Sequence, residues 1–247
     1  MYKNTTNLKK WIVGWGLLLI VWTSIAYLVS NPFICPYPSE VLQNMVQQVQ
    51  SGNFYLHIIS TFLRVIFSFS LSFIVGIGLA ILTFKNQKVL SYVEKIILIL
   101  RSIPNITFII LFLFWMSREW TITAVSFLLL FPIVFQNSIA SLQQIDKKYK
   151  DLLYIYPQTK KYTIQNIYIP LMKPSLYSSA ITTMSLAFKV GVMAEILAQV
   201  PFGIGRSMQW EKLNVNLAGV IAWTIWLLIF VFIMHAIIQR IGEKSCH

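Results

Sequence analysis

The sequence predicts an all-α, polytopic membrane protein: a bundle of six transmembrane helices in a single domain, residues 1–247. Hydrophobic residues make up 57% of the chain and charged residues only 11%. A soluble domain carries about 25% charged residues, so this chain has too few to cover a water-facing surface. The apolar residues also cluster into long runs, and a spanning helix needs about 20 of them.

Six runs are long and apolar enough to be spans. They cover residues 11–30, 62–84, 96–116, 119–141, 175–199 and 215–238. The first follows three lysines, as a signal peptide would, but it has the length of a full span and no small-x-small cleavage site follows it. We therefore expect it to be retained. The third is the least regular, because Arg101 and Pro104 stand near its start.

The segment between the first two spans, residues 31–61, is polar, rich in turn residues and free of Lys and Arg. Residues 39–50 could form a short surface helix, with Ser39 as its cap.

The two cysteines, Cys35 and Cys246, fall on opposite sides of the membrane in the predicted topology, which argues against a disulfide. No His/Cys spacing typical of a metal site is present, and we expect no metal and no cofactor.

The basic residues orient the bundle. The net charge is +12. With the N-terminus inside, fourteen Lys and Arg lie in inside segments and three in outside segments. This asymmetry is what the positive-inside rule predicts for six spans with both termini cytoplasmic, and it accounts for the basic excess better than nucleic-acid binding does.

The inside segment at about residues 142–174 is the most informative part of the chain. Pro157 interrupts it, and Pro170 and Pro174 stand just before the fifth span. Proline cannot continue a helix and disfavours helix at the residue before it. The segment is therefore predicted to consist of two stiff pieces with fixed joints.

This spacing resembles the cytoplasmic "EAA" loop of ABC importer permeases. That motif has Glu-Ala-Ala, a Gly six residues after the Glu and a Pro nineteen residues after it. Asp151-Leu152-Leu153 stands at the acid-Ala-Ala position, Pro157 at the Gly and Pro170 at the Pro. Pro174 matches a second proline of the nitrate/sulfonate/bicarbonate (taurine-type) branch. Asp for Glu, Leu-Leu for Ala-Ala and Pro for Gly are departures from the motif.

The resemblance extends along nearly the whole chain. Segments similar to that branch are 36–41, 57–64 with 76–78, 103–104, 131–133, 194–195 and 203–205. Each is a weak signal, but their order and spacing together are specific. The resemblance implies the membrane-spanning permease subunit of an ABC importer in the bacterial cytoplasmic membrane, which carries a small solute, anions included, by alternating access.

The resemblance also implies partners: an ATP-binding subunit, an extracellular or periplasmic solute-binding protein and a second permease copy. In the family, the loop docks on the ATPase, so we expect Asp151, Leu152, Leu153 and Tyr156 to contact it. The chain has no G-x-x-x-x-G-K-[ST] phosphate loop. It is therefore not expected to be an enzyme, and ATP hydrolysis would belong to the partner.

Ionisable residues inside spans are costly and often functional. Lys189, near the middle of the fifth span, is predicted either to line the substrate pathway or to pair with another helix. Glu195 lies six residues further on, about 120° around the helix, so we do not expect a direct Lys189–Glu195 pair within the helix. We expect Glu195 to form a pair near the outer end of the span or to hold the loop at 203–205, rather than to contact substrate. Arg64 and Arg101 lie near span ends, where snorkelling explains them.

Two other classes of protein remain as alternatives. A gradient-driven transporter or channel would often show internal repeats with broken helices, and no clear repeat relates residues 1–116 to 119–247. A membrane-embedded enzyme would need a nucleophile–base pair or a metal cluster inside the spans, and no such motif appears.

Overall fold

The computed structural model describes residues 3–145 and 155–245, together with Tyr149 and Leu153. These residues form helices and connecting turns without any β-strand. The helices are α1 (Lys3–Val29), α2 (Pro38–Gln50), α3 (Phe54–Phe84), α4 (Gln87–Ser102), α5 (Asn105–Trp115), α6 (Arg118–Gln143), α7 (Lys160–Thr163), α8 (Ile169–Ala198), α9 (Ile204–Leu213) and α10 (Leu217–Ser245). A π-helical turn, Ile164–Tyr168, joins α7 to α8. The all-α fold class is confirmed.

Helices α3, α6 and α8 form the centre of the bundle. Small residues allow their close approach: a Cβ at Gly76 of α3 would lie 2.8 Å from Val134 of α6, and one at Gly191 of α8 would lie 2.8 Å from Val65. Buried side chains such as Phe135 and Phe188 fill the space between them. Interfaces between membrane helices favour small residues for this reason.

Four helical stretches are long and apolar enough to cross a bilayer: 54–84, 118–143, 160–198 and 217–242. Helices α4 and α5 would add a fifth as one broken span, bent by 92°. In α1, the stretch Gly16–Val29 is a shorter apolar helix. The number of six spans therefore stays a prediction.

The predicted third span, 96–116, differs from the structure because it is not one straight helix. Ile103 adopts an extended conformation with φ −81° and ψ 130°, immediately before Pro104. This is the conformation that a following proline favours. The chain turns there by 92°.

The prolines before the fifth span do not interrupt it, which corrects the expectation of fixed joints at Pro170 and Pro174. Pro170 lies in the first turn of α8 and Pro174 inside it. The π-helical turn precedes them, and the Ile169 N–H there donates to the Ile164 carbonyl. A wider turn of this kind adjusts the backbone ahead of a residue that cannot donate. Residues 160–198 are thus one long helix.

Both short helices α2 and α9 lie at one end of the bundle, which we call the α9 face. The α9 face comprises residues 31–53 and 199–216, together with the adjoining ends of α3, α8 and α10. Val41 of α2 packs against Ala218 and Ala222 of α10, and Gln48 Nε2 donates to the Gly219 carbonyl at 3.2 Å. The end of α6, the start of α7 and the described residues between them lie at the opposite end, which we call the loop face.

Candidate functional site

A buried carboxylate near the α9 face organises the end of α8. Glu195 is 1% exposed. Arg64 Nη1 of α3 donates to it at 2.7 Å, and the Thr61 hydroxyl lies 2.9 Å from both carboxylate oxygens. The Gly205 N–H at the start of α9 donates to Oε2 at 2.9 Å. A buried charge persists only where it is paired and hydrogen-bonded, and Glu195 has both kinds of partner.

Arg64 extends this cluster to α6. Its Nε and Nη2 donate to the two Glu119 oxygens at 2.6 and 2.9 Å, and its Nη1 also donates to the Phe202 carbonyl at 2.8 Å. The Arg64 side chain is only 13% exposed. The snorkelling expected for Arg64 is therefore wrong: its guanidinium is held inside the protein between two carboxylates. Arg101, by contrast, is exposed and donates to Gln136.

The loop between α8 and α9 is built around Glu195. A Cβ at Gly203, where φ is +151°, would lie 2.5 Å from Glu195 Oε2. A Cβ at Gly205 would lie 2.5 Å from the Val192 carbonyl oxygen. Both positions therefore require glycine. The Ile204 N–H between them donates to the Thr61 hydroxyl at 2.8 Å, so Glu195 and Thr61 together fix the start of α9.

Lys189 lies on a different face of α8. It is exposed and forms no ion pair with any described residue. Ser178 and Thr182 are exposed on the same stripe of the helix, at the spacings that place residues on one face. Lys189 is nine residues before the end of α8 at Ala198, or about 14 Å, which is close to the middle of a bilayer core of about 30 Å.

The residues predicted to contact an ATPase divide into three groups. Asp151 and Leu152 lie outside the described residues. Leu153 is partly buried and packs against the chain's own core cluster, which includes Leu90 and Ile97. Tyr156 and Pro157 are exposed on the loop face, and the Tyr156 side chain is 65% exposed. Pro170 is exposed as well, in the first turn of α8.

Sequence reasoning missed the Arg64–Glu119–Glu195 cluster because its members are far apart along the chain. Arg64 and Glu195 are separated by 131 positions. One signal could have revealed them: all three are placed near the same end of their predicted spans. No group of three His, Cys, Asp or Glu side chains that could hold a metal ion occurs in the described part of the chain.

Several helices are apolar and of spanning length, a buried ion cluster lies between them, and one of them exposes a lysine. These features are typical of a multi-pass membrane protein of the transport class. The chain belongs to the family described as "Binding-protein-dependent transport system inner membrane component", whose sequence profile matches residues 72–244. The predicted family is confirmed.

Two curated relatives illustrate the range of the family. The formylaminopyrimidine transport permease protein ThiX of Halalkalibacterium halodurans is 25% identical over 172 residues, 69% of this chain and 68% of the relative. The putative aliphatic sulfonates transport permease protein SsuC of Bacillus subtilis is 22% identical over 225 residues, 86% of this chain and 81% of the relative.

Solved ABC transporters share the fold. An inward-facing structure of the MetNI methionine ABC transporter has a TM-score of 0.69 at 17% identity, covering 78% of this chain and 96% of that one. A bacterial ABC transporter involved in the import of the acidic polysaccharide alginate has a TM-score of 0.70 at 14% identity, covering 97% and 98%.

The protein is therefore an ABC importer permease subunit, a multi-pass protein of the inner membrane. Permease subunits are not themselves enzymes; ATP hydrolysis belongs to a separate subunit, and the family implies a solute-binding protein as a further partner. The alternative of a gradient-driven transporter or channel is not favoured.

Proposed function

We propose that this permease imports a small anionic solute, of the aliphatic sulfonate type, along a pathway lined by the Lys189 stripe of α8. The observation that carries the proposal is the exposed, unpaired Lys189 within a membrane-spanning helix. A charged side chain that faced lipid near the middle of the bilayer would cost several kcal/mol. A water-filled pathway removes most of that cost because the ammonium stays hydrated.

The stripe is only one wall of such a pathway. Ser178, Thr182 and Lys189 form an exposed polar stripe on α8, whereas the other polar side chains of this stretch, Ser179, Thr183 and Ser185, are buried or half-buried. The opposite wall must come from another chain, and a second copy of this permease is the simplest source, since closed symmetric dimers are the commonest assemblies. We propose a homodimer in which two Lys189 ammonium groups attract the solute.

The charge of Lys189 favours one substrate class over another. The two relatives differ in this respect: an aliphatic sulfonate is an anion, whereas formylaminopyrimidine carries no sulfonate charge. The Lys189 ammonium in the pathway stabilises an anion by a charge-assisted hydrogen bond and gives no comparable advantage to a neutral solute. This supports the sulfonate-like solute.

The loop face is the proposed docking surface for the ATPase. Ile155 and Tyr156 are exposed there, at 67% and 65%, immediately before the non-helical segment at Pro157. Large exposed apolar side chains at the aqueous end of a bundle are typical of a protein interface. With the loop face inside, both termini are cytoplasmic and the α9 face is extracellular or periplasmic, as the charge asymmetry predicts.

Transport assays with Lys189 variants test the pathway. The permease is reconstituted in liposomes with its ATPase and solute-binding protein, and uptake of ethanesulfonate and of formylaminopyrimidine is measured. If ethanesulfonate is carried, Lys189→Met should lower its uptake about tenfold or more, because a charged hydrogen bond is lost, and Lys189→Arg should retain most of it. Lys88→Met, which removes an exposed lysine of α4, is the matched control.

Three outcomes would contradict the proposal. Normal uptake and stability of Lys189→Met would remove Lys189 from any role. Failure of the variant to assemble would show that Lys189 pairs with a charge on a partner chain. Uptake of formylaminopyrimidine with no uptake of ethanesulfonate would exclude the anionic substrate class.

A further inference from the structure

A second candidate site lies at the α9 face, away from the Lys189 stripe. It is a cavity of about 360 Å³ between the start of α3, the first turns of α9 and the start of α10. Pockets of roughly 300–1,000 Å³ are the usual size for small-molecule sites. Its walls include Asn53, His57, Arg206, Trp210 and Trp223.

The cavity collects hydrogen-bond donors and a positive charge. The Arg206 guanidinium lies over the Trp210 ring, 5.7 Å from its centroid, and forms no ion pair or hydrogen bond with a described residue. None of the residues that line the cavity is Asp or Glu. The charge of Arg206 is therefore not balanced from within the cavity.

The backbone fixes the His57 tautomer. The Gly203 N–H donates to His57 Nδ1 at 3.0 Å, so Nδ1 acts as the acceptor. A neutral imidazole with an accepting Nδ1 carries its proton on Nε2 and offers a donor there. The same loop that encloses Glu195 therefore turns His57 into a hydrogen-bond donor.

The remaining polar groups are either free or already used. The Ser51 hydroxyl donates to the Gln48 carbonyl at 2.7 Å, and the Ser207 hydroxyl donates to the Gly203 carbonyl at 3.2 Å. The Asn53 side chain caps no helix, although it precedes α3. Arg206, His57 and Asn53 are thus three donor groups without an acceptor in the described part of the chain.

Two indole rings give the cavity an apolar surface beside these donors. Trp223 is 3% exposed and forms the inner wall, and Trp210 is 56% exposed at the opening. Aromatic side chains with one cation and a few donors bind organic anions by combining apolar contact with charged hydrogen bonds. An inorganic anion would use the donors alone.

We propose that this cavity is a binding site for a small organic anion with an apolar or aromatic body, separate from the transport pathway. Arg206, His57 and Asn53 bind its anionic group, and Trp210 and Trp223 contact its body. The proposed orientation of the bundle is needed only to place this cavity on the outer side of the membrane. A site there would hold a solute before it enters the pathway, or sense an anion that is not transported.

Titration calorimetry and tryptophan fluorescence on the assembled permease–ATPase complex in detergent, without the solute-binding protein, test the site. The probes are benzenesulfonate, its neutral counterpart benzenesulfonamide, and inorganic sulfate. We expect saturable binding of benzenesulfonate with a change in tryptophan emission, and binding at least tenfold weaker for each of the other two probes.

Variants locate the bound anion. Arg206→Gln should weaken benzenesulfonate binding about tenfold or more, the usual effect of losing a charged hydrogen bond. Lys212→Gln is the matched control, since it removes a positive charge from the same helix but from a residue outside this cavity, and it should change the dissociation constant less than about twofold. Trp210→Leu should reduce the fluorescence change and weaken binding, although the donors and Trp223 remain.

The anion site and the transport pathway can be refuted separately. Benzenesulfonate binding that is lost in Lys189→Met and kept in Arg206→Gln would place the anion in the pathway. Absence of saturable binding, or equal binding of benzenesulfonamide, would refute an anion site. If no probe binds but Arg206→Gln weakens docking of the solute-binding protein, the cavity accepts a side chain of that partner instead.

Discussion

The Arg64 guanidinium joins carboxylates that belong to two other helices, and the two carboxylates are not equivalent. Glu195 is 1% exposed, whereas Glu119 is 49% exposed. Removing one partner of a buried ion pair leaves an uncompensated charge and costs about 3–5 kcal/mol. Exposed pairs contribute about 1 kcal/mol or less. The stability of the cluster therefore depends mainly on Arg64 and Glu195.

Arg64→Met tests this asymmetry. It leaves Glu195 buried without its cation, so we expect a loss of about 3–5 kcal/mol in the free energy of unfolding, measured as a lower midpoint of thermal unfolding in detergent. Glu195→Gln should cost less, because an amide is neutral and its oxygen can still accept from the Gly205 N–H. Arg64 would then still be paired with Glu119.

Glu119→Gln is the control for the cluster, and it should cost about 1 kcal/mol or less because half of that side chain is exposed. A double variant with Arg64→Met and Glu195→Gln should be more stable than Arg64→Met alone, since it contains no unpaired buried carboxylate. An equal loss of stability in all the single variants would show that the buried Arg64–Glu195 pair contributes no more than the exposed Arg64–Glu119 pair.

In the segment between α6 and α7, two described apolar side chains differ in their surroundings. Leu153 packs into the permease core, and Tyr156 faces away from it. The predicted ATPase contacts are therefore not interchangeable. A charge at residue 156 would be placed at the proposed ATPase interface, and a charge at residue 153 would be placed against the permease's own helices.

Tyr156→Glu and Leu153→Glu form a matched pair. Tyr156→Glu should leave the unfolding midpoint nearly unchanged, as exposed substitutions do, and should abolish most of the ATP hydrolysis stimulated by solute-loaded binding protein. Leu153→Glu should destabilise the permease by about 1–3 kcal/mol because it buries an unpaired charge. If Tyr156→Glu keeps full coupling, this residue is not part of the docking surface.

The elements also show what periodicity and composition could and could not predict. Apolar runs identified α3, α6, α8 and α10, because length and hydropathy are local properties. The helical path of the chain through Pro170 and Pro174 was missed: a π-helical turn directly before α8 places Pro170 in the first turn of that helix, where its missing N–H is tolerated, and Pro174 lies inside the helix. The bend at Pro104 had a visible signal, but its angle depends on how α4 and α5 pack against α6.

Only part of the candidate site could be predicted from the sequence, for a similar reason. Glu195 was expected to hold the loop at 203–205, because both lie close together in the sequence, and the structure shows that contact. Its cation, Arg64, comes from 131 positions away. Only tertiary packing brings the two together. The face of α8 that carries Lys189 is likewise determined by which side of the helix α3 and α6 cover.

At the scale of the whole molecule, the orientation of the bundle is a testable prediction. In a variant with Cys35 and Cys246 replaced by serine, a single cysteine at position 51 should react with a membrane-impermeant thiol reagent added to intact cells. A single cysteine at position 160 should react only after the membrane is opened. Ser51 and Lys160 are both exposed, so access depends on the side of the membrane. The reverse pattern would contradict the cytoplasmic assignment of both termini.

The separation of Arg64 from its partners has a consequence for how the chain is made. Ribosomes add about 5–20 residues per second, and Glu119 and Glu195 follow Arg64 by 55 and 131 positions. The guanidinium therefore waits about 3–11 s for its first carboxylate and about 7–26 s for its second. During synthesis α3 enters the bilayer with an uncompensated cation near one end. A chain that terminates before α8 contains Arg64 and Glu119 but not Glu195, so the guanidinium is left with only its half-exposed partner.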